Sequence, residues 1–247
     1  MTAFLVISGL TKRHGGRAAL DRVSLSVAAG ELVALVGPSG SGKTSLLKSV
    51  NRLAEPDEGN IRIDGRDVRE VPLAALRHGI GYVIQSIGLF PHMNVAENIG
   101  IVPKLMGQGA ADRTAELLEL VALPVDMAAR YPRELSGGQA QRVGVARALA
   151  AGPKLMLMDE PFGALDPVTR DALGQAYRAL HDRLGLTTLM VTHDIAEALL
   201  LADRIVVLIE GRIRADAAPA ALMASNDPDV LAMIDVPRRQ AARLAAL

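Results

Sequence analysis

The 247 residues predict an α/β fold: a mainly parallel core sheet, an antiparallel β layer at the N-terminus and an inserted α-helical subdomain. Three observations carry that expectation. Four apolar runs of strand length are nearly uninterrupted, Leu32–Val36, Leu155–Met158, Thr188–Val191 and Ile205–Ile209, as strands buried on both faces are. Stretches of helical period lie between them, for example Leu173, Ala176, Tyr177, Leu180 and Leu184, and strands alternating with amphipathic helices imply a doubly wound sheet. From Gln85 to about Ala151 no strong strand run occurs, while apolar residues recur at helix spacing.

In chain order, Leu5–Ile7 and Val23–Val27 are short, half-alternating runs separated by the turn-forming Gly15–Gly16, which predicts the antiparallel layer. Leu32–Val36 follows as a core strand, then a Gly-rich loop and a helical stretch over Ser45–Leu53. Leu117, Leu118 and Val121, then Val143, Ala146 and Ala150, mark helices of the insertion. After Gly211 the chain is Ala-rich with Pro219, Pro228 and Pro237 as breakers, so short helices and little chemistry are expected there. The expected organisation is one domain: residues 1–85 and 152–215 as core with the β layer, 86–151 as helical subdomain, and 216–247 as a short tail.

Composition narrows the function. Lys plus Arg is 27 and Asp plus Glu is 27, so the formal net charge is zero and no bulk basic field exists to hold a nucleic-acid backbone. There is no cysteine, which removes disulfides, Cys-ligated zinc, iron–sulfur clusters and thiol nucleophiles together. Half of the residues are hydrophobic, yet long apolar stretches are broken early, as Ala198–Ala202 is by Asp203 and Arg204. No transmembrane helix is expected. Phe4–Ile7, followed by Lys12 and Arg13, is too short for a secretory core, and the reading is a soluble, cytoplasmic protein.

Gly37-Pro38-Ser39-Gly40-Ser41-Gly42-Lys43-Thr44 matches G-x-x-x-x-G-K-[ST], directly after a strand and before a helix, which is the context such a loop needs. Glycines let the backbone turn N–H groups inward around phosphate oxygens, and the helix start adds partial positive charge at the same point. Lys43 is then placed to reach the β and γ phosphates, and the Thr44 hydroxyl to bind Mg²⁺. The plain alternative is a Gly-rich strand-to-helix turn with an exposed lysine.

Leu155–Met158 runs into Asp159-Glu160, two acids at the carboxyl edge of a buried strand, where open α/β sheets bind ligands. Asp159 is the expected Mg²⁺ partner. Glu160 is the candidate general base for the water that attacks the γ phosphate. Without the phosphate loop the two acids would read as loop solvation or a helix cap. Asp166-Pro167 reads as an N-cap followed by proline at the first helical position. His193, at the end of Thr188–Val191, is a candidate γ-phosphate sensor, against the plain alternative of a surface or core histidine.

Leu135-Ser136-Gly137-Gly138-Gln139, between the phosphate loop and the acid pair, resembles the signature of ABC ATPases, a branch of the P-loop NTPases. Gln85 is similar to the Q-loop glutamine, Ala164-Leu165-Asp166 to the D-loop and His193 to the H-loop histidine; the resemblance covers essentially residues 1–215. It implies ATP and Mg²⁺ as ligands, with Gln85, Thr44 and Asp159 around the metal, and Glu160, His193, Gln85 and Lys43 in hydrolysis. Read from the residues alone, Ser136 and Gln139 form a capping box at the start of a helix running through Ala151. Gly137 and Gly138 cost such a helix roughly 1 kcal/mol each against alanine, a cost that makes sense if a phosphate must approach the backbone. The resemblance implies that this second anion site, Ser136, Gly137, Gly138 and Gln139 with Asp166 nearby, serves ATP held by a second copy paired head to tail. In the segment Thr11-Lys12-Arg13-His14, His14 stands where family members commonly present an aromatic ring to adenine, and imidazole stacks less surface.

Ile87, Leu89, Phe90, Pro91 and Met93 form an apolar cluster after Gln85. Local core packing is one reading; the other, implied by the resemblance, is a groove for a helix of an integral-membrane permease docking near Gln85–Met93. The string from Gly81 to Met93, with Asn98-Ile99, Val102-Pro103-Lys104-Leu105 and the tail Asp235-Val236-Pro237-Arg238-Arg239-Gln240, is similar to importer ATPases for glycine betaine, choline and related osmoprotectants. Such ATPases often carry a C-terminal pair of CBS domains, and none is expected here. The resemblance therefore implies a peripheral ATPase at the cytoplasmic face of the inner membrane, with a permease and an extracytoplasmic solute-binding protein and no nucleic acid as partner. The alternatives are the ATPase of a transporter for another small solute, a soluble non-transport ABC ATPase, or an ordinary P-loop kinase or GTPase, which leaves Leu135–Gln139 unexplained.

Overall fold

The computed structural model describes residues 3–86, 88–107, 113–163 and 165–245. Of the expectations above, Ile87 and Ala164 fall outside the described residues, as do the side chains of Val236, Pro237 and Gln240. Two sheets organise the chain. Strands β1 (Ala3–His14) and β2 (Arg17–Ala28) form an antiparallel hairpin through Gly15–Gly16, and β4 (Glu58–Ile63) and β5 (Arg66–Asp67) extend it in the order β2-β1-β4-β5. The second sheet comprises β3 (Leu32–Val36), β6 (Ile80–Val83), β7 (Leu155–Asp159), β8 (Thr187–Val191), β9 (Arg204–Ile209) and β10 (Arg212–Ala217), in the order β10-β9-β3-β8-β7-β6. All its pairings are parallel except β10 against β9.

Every residue of β3, β7 and β8 is buried, and the packing shows why. Alternate side chains enter two different apolar cores. Leu32, Ala34, Val36, Met156, Met158, Met190, Ile205 and Val207 face one; Val33, Leu35, Leu155, Leu157, Leu189, Val191, Val206 and Leu208 face the other. The second core is closed by the β1–β2 hairpin through Leu5, Leu10, Leu20 and Val27, with helix α1 (Lys43–Val50) contributing Leu46, Leu47 and Val50. α1 is therefore wedged under its own loop, and with strand alternation fixed at two residues neither face can be polar.

The first core takes the remaining helices apart from the short one at Leu73–His78, whose Leu76 enters the second core. Residues 95–149 carry α3 (Val95–Leu105), α4 (Thr114–Leu120), two 3₁₀ turns and α5 (Gly137–Leu149), with no strand among the described residues. Their Val95, Ile99, Leu117, Leu118, Val143 and Ala146 pack into the same cluster as α6 (Pro167–Leu184), α7 (Ile195–Leu201) and the sheet. α2 (Leu73–His78) lies before β6.

The C-terminal segment differs from the short helices expected. After α8 (Pro219–Met223), α9 extends over Pro228–Ala245, 18 residues, through the position of Pro237. Val230 and Ile234, one turn apart and almost wholly inaccessible, anchor its first turns against the core, and tertiary packing of an amphipathic face outweighs a single unfavourable residue. β4, β5, β6 and β10 were likewise not read from sequence, being short or polar along the chain.

Candidate functional site

The parallel strands deliver the site. β3 ends at the glycine-rich loop, β7 at Asp159 and β8 at Val191, and the register Asp159↔Val191 and Val83↔Met158 brings the loops after β6, β7 and β8 to one edge, the carboxyl edge where open sheets bind ligands.

The loop over 37–44 is held open from below. A Cβ on Gly37 would lie 2.0 Å from the Leu208 carbonyl oxygen, and one on Gly42 would lie 2.2 Å from that of Ala19. Both have positive φ, 151° and 105°. No other residue fits there. Gly42 is the N-cap of α1 and offers no side-chain cap, so the first amides of the helix are left for another acceptor. Lys43 Nζ donates to the Gly37 and Pro38 carbonyls at 2.7 and 2.9 Å. Its burial lowers the ammonium pKa, countered by the charges of Glu160 and Asp159. The buried Ser41 Oγ finds no partner among the described residues. A cradle of unspent donors around a buried cation suits an anion.

Across from it, Thr44 Oγ1 donates to Asp159 Oδ1 at 3.2 Å. Burial raises the Asp159 pKa, with Glu160 adding to the rise, and burial together with the Asp159 charge pushes the Tyr82 hydroxyl up to about 12. A buried carboxylate beside a hydroxyl, unneutralised in full, is a hard-oxygen donor set that fits Mg²⁺, which takes one or two carboxylates and completes its shell with phosphate and water. The two residues fit the ion.

Glu160 is where three loops converge. It adopts a left-handed backbone, φ 46°, held by its amide donating to the Val191 carbonyl at 2.9 Å. Such a conformation costs a non-glycine residue of order 1 kcal/mol and persists only where the surroundings impose it. Gln85 Nε2 donates to Glu160 Oε2 at 2.8 Å, and His193 Nδ1 stands 3.3 Å from the same oxygen. Gln85, Glu160 and His193 are thus brought together although 75 and 33 residues separate them from Glu160 in sequence.

The remaining expected residues are placed as follows. His14, at the end of β1, lies with Nε2 3.4 Å from Ser45 Oγ, beside the first turn of α1. Ser136 caps α5: its Oγ accepts from the Gln139 amide at 3.3 Å, while its own amide donates to Gln139 Oε1 at 2.9 Å. The capping box read from sequence is therefore present. α5 stops at Leu149, with Ala150 as C-cap, slightly short of Ala151. Gly138 has a reason inside the chain, because a Cβ there would lie 2.8 Å from Thr169 Cγ2. Gly137 has almost none, its nearest neighbour being Leu165 Cδ2 at 3.8 Å. The two glycines, read alike from sequence, differ in the structure. Asp166 caps α6, accepting from the Thr169 amide at 3.0 Å, and the Thr169 hydroxyl, with that amide after it, holds its pKa below the usual carboxylate range.

In the segment after Gln85, Leu89 packs on the core while Phe90 is exposed. Sequence reasoning missed what holds the segment. Asn98, fully buried, accepts from the Phe90 amide and donates to the Phe90, Met93 and Asn94 carbonyls at 2.8 to 3.1 Å. Arg147, whose pKa is lowered by burial, donates to the Gly88 carbonyl at 2.6 Å. A polar residue on the apolar face of a helix is the signal that could have found Asn98.

Comparison with known proteins gives the family. The choline transport ATP-binding protein OpuBA of Bacillus subtilis (strain 168) is 51% identical over 213 residues, 85% of this chain and 56% of that protein. The glycine betaine uptake system ATP-binding protein YehX of Escherichia coli (strain K12) is 51% identical over 209 residues, covering 83% of this chain and 68% of that one. The chain thus spans between half and about two thirds of these relatives' length. A dimeric structure of the ATP-binding cassette MJ0796, in a post-hydrolysis state bound to ADP and Pi, superposes with a TM-score of 0.78 at 34% identity, over 87% of this chain and 98% of that one. The ABC transporter family matches residues 20–163, a span that begins in the strand under the phosphate loop and ends just past Glu160, so the chain whose sheet edge is described above belongs to that family.

Proposed function

We propose that the chain is the ATP-hydrolysing subunit of an ABC importer for a quaternary-amine osmoprotectant of the glycine betaine, choline or proline type. The observation that carries the hydrolytic part is the convergence of Gln85 and His193 on one oxygen of Glu160, next to the loop held open under Gly37 and Gly42. The substrate class is supported by the relatives, a choline transport and a glycine betaine uptake ATP-binding protein.

In this reading the amides of residues 37–44 and Lys43 bind the β and γ phosphates of ATP, and His14 lies toward the adenine. Thr44, Asp159 and Gln85 would hold Mg²⁺, which would supply charge neutralisation of the phosphates. Glu160 takes the proton of the attacking water. Gln85 and His193 orient its carboxylate, and His193 stands where it can meet the γ phosphate. Ser136, Gly137, Gly138 and Gln139, with Asp166, face the nucleotide of a second copy paired head to tail. The dimeric neighbour supports such pairing.

Residues 1–85 and 152–215 would form the nucleotide-binding body, 86–151 the helical subdomain that docks on an integral-membrane permease near Gln85–Met93, and 216–247 a tail. An extracytoplasmic binding protein completes the system, which places this chain at the cytoplasmic face of the membrane. No helix among the described residues is long and apolar enough to cross a membrane.

The test is the full chain with ATP and Mg²⁺. Phosphate release by the unaltered protein, and an ATP-dependent shift from monomer to dimer on a sizing column in Glu160→Gln, are expected. A monomer at saturating ATP would sink the pairing. Co-expression with an osmoprotectant permease should then restore betaine uptake to a strain lacking its own ATPase.

A further inference from the structure

Arg170 lies in the first turn of α6, where the helix dipole disfavours a cation. Its contacts explain its presence. Nη1 donates to Asp194 Oδ2 at 3.1 Å and Nη2 to the Leu165 carbonyl at 3.0 Å, with the Gly163 carbonyl at 3.5 Å. Asp194 follows His193 directly, and Leu165 precedes Asp166. One guanidinium therefore spans the two loops that meet again, farther on, where His193 Nδ1 stands 3.3 Å from Glu160 Oε2.

The loop carrying His193 is stiff in itself. Asp194 Oδ1 accepts from the amides of Ala196 and Glu197, and the Asp194 amide donates to Thr192 Oγ1 at 3.0 Å, which in turn donates to Glu197. The Thr192 amide is tied to the Leu35 carbonyl at 3.2 Å. What these bonds do not set is where the loop stands relative to the turn after Glu160. The Arg170–Asp194 pair is partly shielded, with side-chain exposures of 27% and 31%, and a planar fork holds two acceptors in fixed geometry as an ammonium cannot.

We infer that Arg170 is a positioning residue for hydrolysis, holding Asp194 and the Leu165 carbonyl on one guanidinium and so setting the approach of His193 to Glu160. The inference rests on the proposed ATPase reading. Arg170→Gln in the full chain is expected to lower kcat about tenfold with KM nearly unchanged, since small misplacements of a catalytic group weigh on the chemical step. Arg170→Lys, which keeps the charge but not the fork, should fall between. In a His193→Ala background, Arg170→Gln should cost less than about twofold more, because coupled residues are not additive.

A readout independent of turnover separates the two readings. Amide hydrogen exchange in Arg170→Gln should quicken in both the turn after Glu160 and the turn after Val191, with α1 unchanged. Should Arg170→Gln fold poorly, Asp194→Asn keeps an acceptor for the Ala196 and Glu197 amides and carries the same comparison. Equal losses with and without His193, or unchanged exchange in either turn, would overturn the inference. An unaltered chain that releases no phosphate would defeat the ATPase reading, while the exchange comparison would still decide whether Arg170 joins the loops.

Discussion

Two helix starts in this molecule are candidates to hold phosphate, and they are built in opposite ways. At α1 the N-cap is Gly42, without a side-chain cap, and Ala19 and Leu208 carbonyls press against the loop from beneath. The lysine at its first position is buried. At α5 the N-cap is Ser136, exposed, and its hydrogen bonds close on Gln139 of the same turn. The first start has donors to spare and a floor; at the second, Ser136 takes up the Gln139 amide, and Leu165 and Thr169 side chains stand 3.8 and 2.8 Å from where Cβ atoms on Gly137 and Gly138 would lie. A helix start of the first kind binds an anion unaided, whereas one of the second kind gains from an anion only when another surface brings it. This asymmetry is what a shared, two-copy site would leave in each copy.

The most damaging change to the first half should be Glu160→Gln. Turnover is expected to fall by about a hundredfold or more, as loss of a general base does, while ATP affinity changes little; near-normal turnover would remove Glu160 from its role. Next comes Lys43→Ala, which removes the buried cation and should weaken ATP binding about tenfold or more. Equal affinity in a direct binding titration would contradict the cradle.

The second half is tested by treating its glycines separately. Gly138→Val must displace Thr169 and should destabilise the fold by about 1–3 kcal/mol in a urea melt. Gly137→Ala meets Leu165 Cδ2 at an ordinary 3.8 Å, and its melting temperature should stay level or rise, while ATP-dependent pairing in the Glu160→Gln background weakens. Unaltered pairing would mean that Gly137 faces no phosphate.

The smallest effect concerns the support beneath His193. Burial raises the Glu197 pKa against its bond from Thr192, so the folded chain holds that proton more tightly than the unfolded one. The resulting stabilisation is complete below the ordinary glutamate pKa and is lost as pH rises through the elevated value. Glu197→Gln, which cannot ionise, should therefore lose less melting temperature than the unaltered protein between about pH 4 and pH 8. Parallel pH profiles would refute the assignment.

What sequence alone determined were features written within one turn or one strand. The buried runs that became β3, β7, β8 and β9, the capping box at Ser136 and the cap at Asp166 depend on neighbours a few residues away, and local periodicity and capping chemistry report on those. The resemblance in Leu135–Gln139 and its companions named the family for the same reason, since each motif is short and contiguous. Only the tertiary structure decided which residues share an oxygen of Glu160, why Gly138 differs from Gly137, what holds Phe90 through Asn98, that α9 continues past Pro237, and that Arg170 ties two loops together. Those facts arise from side chains far apart along the chain meeting in space, where sheet register and packing, rather than residue spacing, set the distances.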